Sequence, residues 1–267
     1  MGGRLVIDQS SAGGAPSVLW KAFAVLGAFS HRNRVLTLAQ IARCSGLPKS
    51  TAHRVLAMLV EIGAVEQTEG GYRVGLRMFT LGTLPPEAAL REAALVHLEE
   101  LHRYTGQTLH LAVLRGADVV YLAKLLSRKS VPTPAAVGAR FPAHCTAVGK
   151  ALLAFSGGGS AAVALTEPLR RRTAASLASA EQVRRQMDGI RAAGFAVDRE
   201  ESADGLACVA VPVLVHDRAV AALSVAFPAS AGSGQVLVGP LRQAAAAISR
   251  SPAMARLATP GDAARVG

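Results

Sequence analysis

The sequence predicts an α+β protein of two domains: a winged helix-turn-helix, joined by a helical linker to a mixed α/β ligand-binding domain. Three observations carry this expectation. Residues 17–63 hold three stretches with helical apolar spacing, and a short Gly-containing turn precedes the third. Two alternating segments around Gly70-Gly71 follow at once and read as a β-hairpin. Beyond Pro85-Pro86, paired strand segments alternate with long amphipathic helices. A chain of 267 residues is long enough to give each domain its own core.

Composition narrows the function classes. Lys and Arg number 29 against 18 acidic residues, a net charge of +11, which favours a polyanionic partner. The three cysteines, Cys44, Cys145 and Cys208, are scattered and lack paired spacing. They point away from a disulfide framework or a zinc site and towards a reducing cytoplasm, with no cofactor implied. No apolar run approaches the ~20 residues of a membrane span, and the first residues lack the apolar stretch of a signal peptide. Residues 1–16 and 251–267, small and rich in Gly and Pro, are expected to be mobile tails.

In chain order, residues 17–30 form the first expected helix, with Ser17 as its cap, and its Val18, Leu19, Ala22, Val25, Leu26 and Phe29 are more apolar than one buried stripe requires. Trp20 and Phe23 extend the apolar surface further round the cylinder than one buried stripe requires, which suggests a second helix from another subunit. Residues 38–44 form a short second helix, with Leu38, Ile41 and Ala42 inward, and Ser45-Gly46-Leu47 turns into the third. There Pro48 breaks the preceding path and Ser50 is the expected cap. Ala52, Val55, Leu56, Leu59 and Val60 make one buried stripe. Lys49, Ser50, Thr51, His53 and Arg54 crowd the other face at the helix entry. Hydroxyls and amides there suit phosphates, and a long cation suits base edges in a major groove. An ordinary amphipathic helix is the competing reading. The hairpin over 64–74 would be the wing, with Arg73 and Arg77 beside the DNA backbone. Residues 1–80 hold nine Lys or Arg and four acids, so this stretch carries nearly half of the net charge.

GLPKSTAHRVLAMLVEIGAVEQ followed by YRVGLRMFTLG resembles the DNA-binding half of IclR-type transcriptional regulators. The resemblance implies a winged helix-turn-helix over 17–82 that dimerises partly through its first helix.

Residues 83–106 are the linker and the first helix of the second domain, with Leu90, Ala94, Leu95, Leu98 and Leu101 inward. The second domain then runs over 107–250. Strands are expected at 107–114, 118–125, 195–197, 207–215 and 220–227, and helices at 146–155, 180–193 and 235–249. Residues 127–140 read as irregular and Gly157-Gly158-Gly159 as a loop, with the helices packed to one side of the strands. Thr146 can cap a helix whose first amides, at Ala147, Val148 and Gly149, form an anion site that Gly149 lets a ligand approach. Gly149-Lys150 is not a phosphate-binding P-loop, because His144 stands where the earlier glycine is needed and Ala151 follows.

GARFPAHCTAVGK, GFAVDREE and GLACVAVP extend the resemblance to the IclR effector domain, so that it spans roughly residues 17–250. It implies a GAF-like pocket for a small molecule, often an organic acid, lined by Thr146, Ala147, Val148, Asp198, Cys208 and Ser224. Ala226 replaces a second serine found in some relatives, which argues for a less polar ligand. Duller roles exist for each: Asp198 capping a strand end, Cys208 packing in a core, Ser224 bonded to backbone. The expected partners are a double-stranded DNA operator, a small-molecule effector and further copies of the chain, as a homodimer or homotetramer, in the cytoplasm. The alternative is a cysteine-dependent enzyme using Cys145 or Cys208 beside an accessory DNA-binding domain. Arg170-Arg171-Arg172 reads as a solvated charge run.

Overall fold

The computed structural model describes residues 17–31, 33–127, 131–252 and 254, and both expected tails lie essentially outside them. The chain separates into two compact units, Met1–Pro85 and Pro86–Gly267.

The first unit holds α1 (Val18–Leu26), α2 (Leu38–Ser45), α3 (Lys49–Glu61), β1 (Val65–Thr68), β2 (Gly71–Val74) and α4 (Leu76–Gly82). Ser17 caps α1 as expected, accepting from the Trp20 amide. Thr37 and Gln40 form a reciprocal capping box on α2, which ends at Gly46 in the left-handed conformation. Its core is Val25, Leu36, Ile41, Val55, Leu56, Leu59 and Val65. Val18, Leu19 and Phe23 are exposed, because only the face centred on Val25 meets α2 and α3. The hairpin pairs Thr68 with Gly71. Leu36 bridges to Tyr72 and ties the wing to the start of α2. Gly71 makes that approach possible: φ is +130°, and any Cβ would run into the Leu36 backbone. Helix α4 was not expected from sequence.

The second unit begins with α5 (Pro86–Thr105), then β3 (Thr108–Arg115), β4 (Asp118–Leu125) and β5 (Arg140–Pro142). A 3-10 turn at Ala143–Cys145 leads into α6 (Ala147–Phe155). It continues with α7 (Gly158–Ala164), α8 (Ala180–Ala193), β6 (Ala196–Arg199), β7 (Leu206–Val215), β8 (Arg218–Pro228) and α9 (Val238–Ser249). The six strands form one antiparallel sheet in the order β5-β4-β3-β8-β7-β6. Helices cover both faces rather than one. Leu90, Leu98, Leu241 and Ile248 from α5 and α9 meet Leu111, Val209 and Leu223. Ala151, Leu152, Val183 and Met187 from α6 and α8 meet Ala112, Cys208, Ala210 and Ala222. The sheet accommodates two helical layers because its central strands are apolar at nearly every position, with the period of two sending successive side chains to opposite cores. Two expectations on irregular backbone also change. Gly158 and Gly159 lie in α7, and Arg140 opens an edge strand.

Candidate functional site

Helix α3 starts at Lys49, one residue before the expected cap. Pro48 occupies the N-cap position without a side-chain bond, and Ser50 lies inside the first turn. Ala52, Val55, Leu56 and Leu59 are buried. Lys49, Ser50, His53 and Arg54 are exposed, and Thr51 is half-buried. No hydrogen bond or ion pair among the described residues engages these five side chains, so their donors and charges face solvent. Arg73 differs. Its Nε and Nη2 donate to Glu66 Oε2 at 2.8 and 2.7 Å, while Glu66 Oε1 accepts from the Leu76 amide at the start of α4. The Arg73 bond holds the Glu66 carboxyl below its ordinary range. Arg77 donates to the Ile62 carbonyl and fastens α4 to the end of α3. Both wing cations therefore already have protein partners.

In the second unit a small hollow, partly open to solvent, lies between the sheet and the start of α6. Thr146, Ala147, Val148, Asp198, Cys208 and Ser224 all line it. The strand register explains their convergence: Asp198 pairs with Cys208, which pairs with Ala226, while Ser224 pairs with His110. Side chains of one parity share the face under α6. Thr146 caps α6, its Oγ1 accepting from the Gly149 amide at 3.0 Å. That bond removes Gly149 from the expected anion site, and Gly149 does not line the hollow. Its missing side chain serves another end, since a Cβ would be driven into the Ala143 backbone against which α6 rests. Ala147 and Val148 keep the amides without a partner among the described residues.

Asp198 is almost wholly buried. Its Oδ1 accepts from the amides of Glu201 at 2.7 Å and Ser202 at 3.3 Å, and Oδ2 accepts the Ser202 hydroxyl at 2.5 Å. Burial pushes the carboxyl up to about 6, against the Ser202 bond that favours its charge. Directly behind, Lys150 is 1% exposed on a helix buried along its length. A buried ammonium needs a partner, and Nζ donates to Glu201 Oε1 at 2.5 Å and Gln186 Oε1 at 2.9 Å. The Gly149-Lys150 pair thus has a structural use, with Lys150 joining α6 to α8 and to the turn after Asp198.

Several lining residues were not singled out in the sequence: His110, Tyr121, Phe141, Thr133 and Ser202. The one signal for His110 is a lone polar ring in an otherwise apolar strand. His110 stacks edge-on with Tyr121, and Tyr121 with Phe141. Arg172, expected in a solvated run, lies 4.1 Å over the Phe141 ring and donates Nε to the Ser202 carbonyl. The thiols speak against nucleophilic chemistry. Burial raises Cys145 to about 12 and Cys208 well above its ordinary value, whereas an active thiol is held low. Among the described residues no group of three or more His, Cys, Asp or Glu is placed to hold a metal, and no helix is long and apolar enough to cross a membrane.

Comparison with known proteins agrees with this geometry. Residues 18–69 match the IclR helix-turn-helix domain, and residues 86–250 match the bacterial transcriptional regulator IclR C-terminal family. The chain is 35% identical to the HTH-type transcriptional regulator XynR of Escherichia coli, over 86% of this chain and 95% of that protein. It is likewise 35% identical to the glycerol operon regulatory protein of Streptomyces griseus, covering 87% and 94% of the two chains. An IclR homologue from Microbacterium hydrocarbonoxydans, solved with 4-hydroxybenzoate, superposes with a TM-score of 0.78 at 30% identity, over 87% of this chain and 98% of that one. None of these relatives is described as an enzyme, and the cysteine-enzyme alternative finds no support. A helix-turn-helix with an unpaired cationic entry, followed by a hollow α/β unit, and matched over both parts, places the chain in the IclR family of bacterial transcriptional regulators.

Proposed function

We propose that this regulator binds a specific duplex operator through the entry of α3, and that a small organic acid or aromatic molecule in the α6 cavity modulates that binding. The observation that carries the proposal is the division of α3 into a buried apolar stripe and five unengaged polar side chains at its first turns. In this reading Ser50, Thr51, His53 and Arg54 enter the major groove and Lys49 meets phosphate. Arg73 reaches phosphate only by sharing its charge with Glu66. Exposed Val18, Leu19 and Phe23 on α1 support self-association, as a homodimer or homotetramer. Two copies would then read half-sites about 34 Å apart or a multiple of that spacing. The place of action is the bacterial cytoplasm, where the operator is.

On the ligand side, Ala147 and Val148 offer free amides, Thr146 and Ser224 hydroxyls, and Asp198 and Cys208 complete the wall. The effector would bind one arrangement of the regulator better than another and so shift DNA affinity. Thermal shift against a panel of small carboxylic and aromatic acids tests this half, since a specific ligand raises the melting temperature by mass action. Failure of every acid to shift the melting temperature would remove the acid-ligand assignment.

A further inference from the structure

Among the described residues that line the hollow there is one carboxyl group, Asp198, and no lysine or arginine. On β3, His110 places Nε2 3.3 Å from Thr133 Oγ1 and stays neutral, since burial and the nearby Lys124 charge lower its pKa to about 3. On β4, burial raises the Tyr121 phenol, and Lys124 Nζ is spent on the carbonyls of Thr133 and Ala135 at 3.1 and 2.7 Å. On β7 the Cys208 thiol keeps its proton, as does Cys145 before α6, where Sγ lies 3.4 Å from the Pro142 carbonyl. Lys150 on α6 is turned to Glu201 and Gln186. Arg172 stacks on the Phe141 ring and donates to Ser202. Among the described lining residues, what faces the hollow is neutral donors and Asp198.

A carboxylate held by the α6 amides would therefore share the hollow with a like charge, unless one of the two carries a proton. We propose that Asp198 is protonated in the complex and donates a hydrogen bond to the effector's carboxylate, so that binding an organic anion takes up one proton from solvent. The inference rests on the cavity being the effector site. It adds the protonation state in which that site works. The geometry selects the oxygen. Oδ1 is committed to two backbone amides, whereas Oδ2 meets only the Ser202 hydroxyl, which can rotate away and leave that oxygen free to carry the proton. Only an O–H bond forms, and its proton comes from the buffer. The empty-site value near 6 means the proton is mostly absent at neutral pH and must be acquired on binding.

The test is titration calorimetry of the full chain near pH 7, in buffers of different ionisation enthalpy. The probes are 4-hydroxybenzoate, benzoate and butyrate, with neutral 4-hydroxybenzamide as the control. The slope against buffer enthalpy should report close to one proton taken up per acid and none for the amide. Kd for an acid should weaken about tenfold per pH unit above pH ~6.5 and be level in Asp198→Asn, whose amide donates without titrating. Should that variant fail to fold, the proton count on the unmodified protein decides alone. Acid binding without proton uptake overturns the proposal while leaving the cavity reading intact, and its loss in Arg172→Gln would then make Arg172 the counter-charge. Binding of the amide but of no acid overturns the proposal and leaves a cavity for neutral ligands. Binding of none of the four overturns the acid-effector reading as well.

Discussion

Replacing Lys150 by Met removes a buried charge whose charged partner, Glu201, is buried as well. Lys150 is 1% exposed and Glu201 7%. Without Nζ, Glu201 Oε1 loses its 2.5 Å bond, and Oε2 already has no partner. Breaking one side of such a pair leaves an uncompensated carboxylate, at a cost of ~3–5 kcal/mol. At ~2–4 °C per kcal/mol for a unit of this size, the melting temperature should fall by roughly 6–20 °C. Pairing Lys150→Met with Glu201→Leu should recover most of the stability, since neither charge is then stranded. Urea unfolding of the two single variants, the double variant and the unmodified protein measures the coupling directly. A Lys150→Met loss below ~1 kcal/mol, or a double variant no better than the single, would refute the argument that the pair is a structural unit.

Arg54→Ala should weaken specific DNA binding by ~1–3 kcal/mol and relax preference at one base pair, as read by competition with altered duplexes; an equal loss on every sequence would make Arg54 a phosphate contact. Val148→Asp should abolish the thermal shift given by an acid ligand, because it adds a carboxylate beside the free α6 amides; an unchanged shift would move the ligand elsewhere. Leu19→Asp on the exposed apolar face of α1 should weaken self-association in sedimentation, and an unaltered assembly would assign that face to solvent. His110 is held neutral by burial, with its folded pKa lowered to about 3, so its stabilising contribution is present above ~6.5 and is lost as pH falls towards 3, on the order of 5 kcal/mol. His110→Gln should flatten that acid limb in pH-dependent urea unfolding, and an unchanged limb would exclude His110 as its source.

The helix-turn-helix was legible because each of its signals is local. The apolar stripe of α3, Gly46 at the α2 exit and the Gly-Gly turn each declare themselves within a few residues. What sequence missed depends on long-range contacts. Val18 and Leu19 look as core-like as Val25 until α2 and α3 choose one side of α1. Arg73 is cross-strand from Glu66, a pairing fixed by hairpin register rather than by proximity in sequence. The hollow shows the same division. Thr146 was readable as a cap, but Gly149 packs against Ala143 because of how the preceding 3-10 turn folds back. Phe141 and Arg172, far apart in the chain, meet only in three dimensions. Helices on both sheet faces were foreshadowed by the unbroken apolar runs of β7 and β8, which a one-sided sheet does not need.

Selection of duplexes from a random-sequence pool, run in parallel with the unmodified chain and with Ser50→Ala/Arg54→Ala, goes to the centre of the account. The unmodified regulator should enrich a two-fold symmetric site with half-sites one helical turn or a multiple apart, and the double variant should lose base preference within each half. Enrichment of the same site by both proteins, or of none by either, would contradict the assignment of the α3 entry to DNA reading.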